Sequence, residues 1–381
     1  MTPAGEITSD EIVEPGVTPV DRDGQHCAVT REGYRPPGIF LHTGWRSGGT
    51  WVWSRLRTLE TVTAFYEPLS TLLGDLSLAD IPAVRPTSNS GHPPLDAPYY
   101  EEYRSFLQDR MRGVVGYQKG FGTDRFGDVP DGEFPALQAY LQNLCDRSIE
   151  QGKVPVLKFC RSQGRLPWLR RAFPKALHVF VLRNPAAQFA SGWLLKQEWG
   201  NSFFVAAPFR VLGLNQSQPV VKQAIEMCGV SLPPITPTSV DEYAAACERY
   251  AHTVEGTHAY RAFMALWILC ASRMLSGVDL LIDMDRLGQS SAYAAELRAQ
   301  IWTQANLTPD LGGARDLVEE AKRGIGRVTG IDGRLLRAIN FSAQKFLMSQ
   351  VDSSCDSHTR LADLIRAKLA LANEISGQWR Y

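Results

Sequence analysis

The sequence has few cysteines and no excess of charge of either sign. Its seven cysteines in 381 residues are scattered, odd in number and without C-x-x-C spacing, which argues against a disulfide framework and a structural zinc site. Forty basic and forty acidic side chains give a formal net charge of zero, so nothing indicates binding to nucleic acid or to an anionic membrane surface. The hydrophobic content of 44% is typical of a globular chain that can bury a core.

Long apolar segments are also missing. The segment from Met1 to Pro19 is polar and acidic and has no apolar h-region, which argues against a signal peptide. The longest apolar stretch, near Ala262 to Ala271, is far shorter than the roughly 20 residues of a membrane span. We therefore expect a soluble, cytoplasmic protein with no membrane span and no nucleic-acid partner. The oligomeric state stays open at this point.

Short apolar runs alternate with helical patterns along most of the chain. The runs predict five strands, at residues 39–42, 62–66, 154–159, 177–182 and 278–284. Such alternation predicts an α/β fold with a mainly parallel central sheet flanked by helices in three layers. We expect a leader over residues 1–37 and a single domain over residues 38–381. A helical insertion with many aromatic residues is predicted at about 197–257.

The first predicted strand runs into a glycine-rich loop and then a helix that starts within Gly49 to Thr50. Gly44 and Gly49 have the spacing of the two glycines in a Walker A loop, but Thr50 and Trp51 occupy the places of its Lys and its Mg²⁺-binding hydroxyl. The cation lies inside the loop instead, as Arg46. Hydrolysis of ATP or GTP is therefore disfavoured. The pattern predicts a P-loop-like anion site that uses backbone N–H groups and Arg46 without a metal.

A second strand-to-helix junction supports the first. The run Ala176 to Leu182 is followed by Arg183, then by Asn184 as a helix N-cap and Pro185 as the first helical residue. Ser191 lies about two helical turns further on. Ligands of open α/β sheets bind at the carboxyl ends of the strands, so Arg46 and Arg183 are expected along one edge, spaced for two anionic groups of one ligand.

At these residues the chain resembles the sulfotransferases that use 3′-phosphoadenosine 5′-phosphosulfate (PAPS). That family has a modified P-loop with a basic residue and a Ser-Gly-x-Thr core, as in Arg46 to Thr50, and an Arg and a Ser eight residues apart, as Arg183 and Ser191. Arg in the first loop and the segment Tyr66-Glu67-Pro68-Leu69 resemble the carbohydrate and bacterial branches. The resemblance covers residues 38–70 and 154–196 and is loose beyond them.

The resemblance implies transfer of a sulfuryl group from PAPS, as co-substrate and without a metal, to an acceptor hydroxyl or amine. A glycan or glycolipid is the first expectation for the acceptor, and an aromatic alcohol or another small metabolite the second. The 197–257 insertion either covers the acceptor pocket or is merely structural. The residues implied to bind PAPS are Arg46, Ser47, Gly48, Gly49, Thr50, Trp51, Arg183, Ser191, Arg323 and Gly324. The last two belong to Lys322-Arg323-Gly324, the nearest match to the family's Arg-Lys-Gly loop.

Three residues are predicted to be catalytic: Arg46, Glu67 and Lys158. Transfer needs cations for the developing charge and a base for the acceptor proton. Glu67 is our candidate base, especially if partial burial raises its pKa, and a purely structural ion pair is the alternative. His42 is a rival base, although a histidine inside a strand is more often a satisfied core residue. The small-molecule branch has a base His after the third strand, where this chain reads Leu157 to Arg161 without one.

The sequence leaves two other function classes open and argues against a third. A P-loop kinase or NTPase would need a Lys after Gly49 and a metal-binding Asp at a strand end, which Asp283 or Asp285 could supply. A non-catalytic nucleotide-binding module would use the same loop. A serine hydrolase fails because neither Ser47 nor Ser191 lies in a G-x-S-x-G elbow.

Overall fold

The computed structural model describes residues 38–379, with gaps at 88–89, 109–110, 124–132, 235–238 and 325–326. The predicted leader over residues 1–37 lies outside the described residues. In the described part, no helix is both long and apolar enough to cross a membrane.

Five parallel strands form the central sheet, in the order β2-β3-β1-β4-β5. They are β1 (Ile39–His42), β2 (Val62–Tyr66), β3 (Val154–Phe159), β4 (Leu177–Leu182) and β5 (Leu280–Asp283). The predicted α/β fold with a parallel sheet flanked by helices is confirmed. Only β5 is shorter than the predicted 278–284. It ends at Asp283 because this side chain caps the next helix, accepting hydrogen bonds from the backbone N–H groups of Asp285 and Arg286.

Thirteen α-helices are described. They are α1 (Gly49–Arg57), α2 (Pro135–Glu150), α3 (Leu166–Ala172), α4 (Pro185–Trp199), α5 (Phe203–Asn215), α6 (Pro219–Cys228), α7 (Val240–Thr253), α8 (Gly256–Ser272), α9 (Met284–Leu287), α10 (Ser291–Ala305), α11 (Leu317–Arg323), α12 (Gly333–Gln350) and α13 (Asp356–Ser376).

The helices cover both faces of the sheet, so both faces are apolar. Along β4, Phe180 and Leu182 lie in one buried cluster with α4, α5 and α8, whereas Val179 and Val181 lie in the other with α1 and α2. This follows from the period of two in a strand, which points successive side chains to opposite faces. Helices α5 to α7, within the predicted insertion, share the first cluster and are therefore packed parts of the domain.

Helical patterns in the sequence predict helices over residues 99–111 and 316–349, and the structure corrects both predictions. Among the described residues of 99–111, the helical part is a short 3-10 helix, Glu101–Phe106. The predicted helix over 316–349 is two helices, α11 and α12, because a glycine-punctuated stretch interrupts it. Gly330 there has a φ of 72°, which ordinary residues rarely adopt. Asp332 then starts α12 anew by accepting a hydrogen bond from the Arg334 N–H.

Candidate active site

A cleft of about 1210 Å³ lies at the carboxyl ends of the strands. It is lined by Glu67 after β2, Cys160 after β3, the loop after β1, Arg183 after β4 and Met284 after β5. Pockets for one drug-sized ligand measure roughly 300–1,000 Å³, so this cleft is larger than a typical site for one ligand. Among the described residues, eight arginines and lysines line it against three glutamates. Its electrostatic character therefore favours anions.

The glycine-rich loop approaches its neighbours too closely for side chains. Gly48 has a φ of 94°, and a Cβ placed there would lie 2.7 Å from the Met284 Cε. A Cβ on Gly49 would lie 2.3 Å from the Thr43 Cγ2. Helix α1 begins at Gly49, as predicted, and its N-cap Gly48 has no side chain to satisfy the first N–H groups. Those N–H groups and the helix dipole are thus available to an anion in the cleft.

Arg46 crosses the cleft from this loop to helix α4. Its Nε and Nη2 donate to the Ser191 Oγ at 3.2 and 3.0 Å, and its Nη1 donates to the Ser90 carbonyl at 2.6 Å. Burial lowers the pKa of its guanidinium. Arg46 and Ser191, two of the residues predicted to bind PAPS, are 145 residues apart in the chain and contact each other directly, which the sequence did not predict. All these acceptors are neutral oxygens.

Arg183 lies behind Arg46 and is almost fully buried, with 7% exposure. Its Nη1 donates to the Arg46 carbonyl at 2.9 Å, and its Nε has no hydrogen-bond partner among the described residues. Burial lowers its pKa to about 10. Asp285 offsets only part of the cost of burying this charge, so an anion beside Arg183 would relieve more of it. Asn184 accepts a hydrogen bond from the Ala187 N–H at 2.8 Å and caps α4, as predicted.

Of the other residues predicted to bind PAPS, some line the cleft and one lies behind the glycine-rich loop. Thr50 and Trp51 line the cleft, and the Thr50 Oγ1 lies 3.5 Å from the Tyr66 hydroxyl. Ser47 does not line it: this residue is 1% exposed and its Oγ accepts a hydrogen bond from the Gly44 N–H at 3.2 Å. The expected contact of its hydroxyl with a phosphate is therefore corrected, because the hydroxyl closes the loop from behind.

Arg323 and Gly324, at the end of α11, also line the cleft. The guanidinium of Arg323 is exposed and donates to Glu319 of its own helix at 3.0 Å. Lys322, the first residue of this basic segment, pairs with Glu374 instead. The structure therefore brings Arg323 and Gly324 to the rim of the cleft, with the guanidinium held by a surface ion pair.

Glu67 and Lys158 form a buried ion pair at the other end of the cleft. The Lys158 Nζ donates to the Glu67 Oε1 at 2.5 Å, the Cys160 N–H donates to Oε2 at 3.0 Å, and Arg161 lies 3.7 Å away. Burial acts to raise the pKa of Glu67, but the charges of Lys158 and Arg161 outweigh it and the pKa is lowered. The expectation of a raised pKa is therefore wrong. The carboxylate is held in its ionised form.

Backbone conformation singles out the same residues. In the described part of the chain, the residues other than glycine with positive φ are Arg46 at 65°, Glu67 at 48° and Asn306 at 53°. Asn306 ends helix α10, where a left-handed residue is common. Arg46 and Glu67 hold this less favourable conformation within the cleft, which is where backbone strain concentrates in functional sites.

The rival base His42 is a core residue. It is fully buried, its Nδ1 lies 2.7 Å from the Ser162 Oγ, and its Nε2 lies 3.1 Å from the His178 Nδ1. Burial lowers its pKa well below the usual value for histidine. The interpretation of His42 as a satisfied strand histidine is confirmed, and it does not line the cleft.

The two aspartates that a P-loop NTPase would need are already paired. Lys368 donates to Asp283 at 2.5 Å and to Asp285 at 2.7 Å, and neither aspartate lines the cleft. Within the described ranges, no group of three or more His, Cys, Asp or Glu side chains is placed to hold a metal ion. The pairing of both aspartates with Lys368, away from the cleft, does not favour the kinase alternative.

Sequence reasoning missed His92, which lies in the cleft wall beside Pro93. Its Nδ1 lies 2.5 Å from the Tyr99 hydroxyl, and burial, together with the charges of Lys158 and Arg46, lowers its pKa to about 3. The only signal was composition, because residues 81–98 contain five prolines and one histidine, His92 itself. Composition does not say that such a segment folds over a cleft.

The sequence also did not predict that Trp45 and Phe203 lie together as an aromatic wall of the cleft. The ring centroids are 6.4 Å apart, and both residues line the cleft. The Arg161 guanidinium lies 5.7 Å from the Trp45 ring, and that of Arg210 lies 5.6 Å from Phe203. Helix α5 of the predicted insertion supplies Phe203 and Arg210, so the insertion contributes to the cleft as well as to the core.

Comparisons of the chain with models of protein families, with curated proteins and with solved structures found no significant match.

Proposed function

We propose that this protein is a sulfotransferase that moves a sulfuryl group from PAPS to an acceptor hydroxyl or amine without a metal ion. The observation that carries the proposal is the meeting of Arg46, Arg183 and Ser191 on one wall of the cleft. A buried guanidinium, that of Arg183, and a half-buried one, that of Arg46, whose hydrogen bonds go to neutral oxygens favour a ligand with more than one anionic group. PAPS is such a ligand, and the sequence resemblance assigns these residues to it.

In this proposal the nucleotide occupies the part of the cleft at the ends of β1, β4 and β5. The N–H groups at Gly48, Gly49 and Thr50 bind the 5′-phosphate at the start of α1, and Trp51 adjoins it. Arg183 and Ser191 bind the 3′-phosphate. Arg323 and Gly324 close the rim over it, which requires Arg323 to leave its surface pair with Glu319. Such exposed pairs are weak, so this costs little.

Transfer follows an in-line displacement. The acceptor oxygen forms a bond to sulfur, the bond from sulfur to the 5′-phosphate oxygen breaks, and adenosine 3′,5′-bisphosphate leaves. The acceptor proton passes to a base, for which we propose Glu67. By analogy with phosphoryl transfer, negative charge develops on the equatorial and leaving oxygens, where Arg46 and Lys158 would stabilise it.

The ion pair with Lys158 gives Glu67 an advantage and a cost as a base. The ammonium keeps the carboxylate deprotonated, which a general base requires, but it also makes that carboxylate a weaker base. Proton uptake by Glu67 would free Lys158 to interact with the developing charge on the sulfuryl oxygens. Lys158 thus links proton transfer to charge stabilisation.

The acceptor would occupy the part of the cleft at the ends of β2 and β3, between Glu67 and the aromatic wall. Flat rings flanked by guanidiniums suit a ligand with a ring of its own. A glycan or glycolipid hydroxyl is our first acceptor, following the resemblance to the carbohydrate branch. An aromatic alcohol is the second, favoured by the wall of Trp45 and Phe203. A cytoplasmic site of action is part of the proposal, and cell fractionation followed by the transfer assay would test it.

Calorimetric titration with adenosine 3′,5′-bisphosphate in the presence of EDTA is the first test. We expect micromolar binding that collapses in Arg183→Ala and persists in Arg147→Ala, which removes an exposed arginine of α2. Turnover would then be followed as bisphosphate release from PAPS with a panel of glycan and phenolic acceptors.

The alternatives predict other results. A kinase or NTPase would bind ATP only with Mg²⁺ and would not respond to the bisphosphate under EDTA. A non-catalytic module would bind the bisphosphate but transfer nothing from PAPS to any acceptor of the panel. No binding of the bisphosphate would refute the proposal.

A further inference from the structure

A buried ion-pair network joins the C-terminal helix α13 to the end of β5. The Lys368 Nζ donates to the Asp283 Oδ1 at 2.5 Å and to the Asp285 Oδ2 at 2.7 Å. All three residues are at most 4% exposed. Two carboxylates share one ammonium, so the network carries one net negative charge inside the protein. Buried charges of this kind are expensive and are usually retained for a specific role.

The network ends on the residue that follows Arg183. The Asp285 Oδ2 accepts a hydrogen bond from the Asn184 N–H, and its Oδ1 accepts one from the Asn184 Nδ2, both at 2.8 Å. Asn184 in turn caps helix α4, which carries Ser191. Asp285 therefore holds both the peptide that places Arg183 and the start of the helix that places Ser191.

The charge of Asp285 also acts on Arg183 directly. Burial disfavours the guanidinium, and Asp285 is the largest influence that opposes this effect. Lys368 lies between the two carboxylates, and its ammonium offsets the repulsion that Asp283 and Asp285 would otherwise exert on each other. The chain of dependence thus runs from Lys368 through Asp285 and Asn184 to Arg183.

We propose that Asp285 and Lys368 are positioning residues that determine the selectivity of the cleft for nucleotides with a 3′-phosphate. They hold Arg183 and Ser191 in the arrangement that a second phosphate requires, and neither contacts the nucleotide. The proposal rests on the proposed function, because it takes Arg183 and Ser191 as the 3′-phosphate site. It adds a selectivity determinant from α13, far from that site in sequence.

The test compares two ligands that differ by one phosphate. Dissociation constants for adenosine 3′,5′-bisphosphate and for adenosine 5′-monophosphate are measured by calorimetry, and their ratio reports the contribution of the 3′-phosphate. The variants are Lys368→Met and Asp285→Asn, with Lys345→Met as the matched control on the surface of α12. Asp285→Asn leaves a one-to-one pair of Lys368 and Asp283, so it tests the proposal even if Lys368→Met does not fold. Thermal melts establish that each variant is folded.

We expect the ratio to fall about tenfold in both folded variants, by analogy with metal sites, where changing the outer hydrogen-bond partner of a ligand costs roughly 10–100-fold in affinity. In the same two variants, the affinity for the monophosphate stays at the wild-type value. In the control Lys345→Met, the ratio stays at the wild-type value. A wild-type ratio in folded Asp285→Asn overturns the positioning role while the proposed function stands. Equal affinities of the wild-type protein for the two ligands overturn both, since no 3′-phosphate site then exists.

Discussion

Lys158 and Glu67 lie across the ends of β3 and β2 with 2.5 Å between Nζ and Oε1, and both are buried in the wall of the cleft. Burial disfavours the ammonium of Lys158, but neighbouring charges, among them the Glu67 carboxylate, raise its pKa well above the usual range. Each residue therefore keeps the other ionised. This pair connects the stability of the site with its chemistry, and the two can be separated by mutation.

Glu67→Gln is expected to lower the free energy of unfolding by about 3–5 kcal/mol, because it leaves Lys158 buried without its carboxylate. The double variant Glu67→Gln/Lys158→Met is expected to regain most of that stability, since it removes both charges. Both variants should lack turnover of PAPS, because turnover requires the carboxylate of Glu67 as the base. Urea unfolding and bisphosphate release measure the two effects. Glu60→Gln, an exposed change in the turn before β2, serves as the control. Full turnover in the double variant would exclude Glu67 as the base.

Ser191→Ala is expected to weaken binding of adenosine 3′,5′-bisphosphate about tenfold, and Arg46→Ala by more than that. A hydrogen bond that involves a charge contributes about 1.5–3 kcal/mol; Ser191→Ala removes one hydroxyl, whereas Arg46→Ala removes a guanidinium together with its positive charge. Calorimetry at two salt concentrations gives the ranking, and binding by Arg46→Ala should depend less on salt. The opposite ranking would contradict the placement of Arg46 at the anionic groups of the nucleotide.

Gly48→Ala is expected to cost about 1–2 kcal/mol of stability and to abolish most nucleotide binding. Its φ of 94° is unfavourable for alanine, and the new Cβ would press on the Met284 side chain. Gly152→Ala is the matched control, because Gly152 also has a positive φ of 71° but has open space around it. It should lose similar stability and keep wild-type affinity. Equal loss of affinity in both variants would show a general effect of folding.

The stability of the protein is expected to fall as the pH falls below about 6.5. The pKa values of His42 and His178 are both lowered by burial in the folded protein, so the unfolded chain takes up protons in this range that the folded protein excludes. Each excluded proton contributes a slope of up to about 1.4 kcal/mol per pH unit. Urea midpoints at pH 5.5, 6.5 and 7.5 measure the slope.

In the same series, His178→Asn should reduce the slope of stability against pH. The control His252→Gln, a change at an exposed histidine, should leave that slope unaltered. A flat stability profile between pH 5.5 and 7.5 would contradict the assignment of the buried pair as neutral histidines.

Local sequence predicted the parts of the site that neighbouring residues control. Asn184 and Pro185 marked the start of α4, and the glycines after β1 marked the turn into α1, because capping and positive φ are local requirements. The pKa of Glu67 was predicted with the wrong direction. Burial could be guessed from the strand, but the counter-ion Lys158 lies 91 residues away. A charge at that separation acts only after β2 and β3 have paired.

The sequence alone determined the strand and helix pattern, the parallel sheet and the two loops that carry Arg46 and Arg183, since hydrophobic period and turn chemistry are written in short windows. Only the tertiary structure decided that Arg46 reaches Ser191, that Ser47 turns away from the cleft, and that Lys368 of α13 holds Asp285 behind Arg183. These contacts join segments far apart in the chain. Their geometry and charge balance arise from packing around the sheet, which no local pattern encodes.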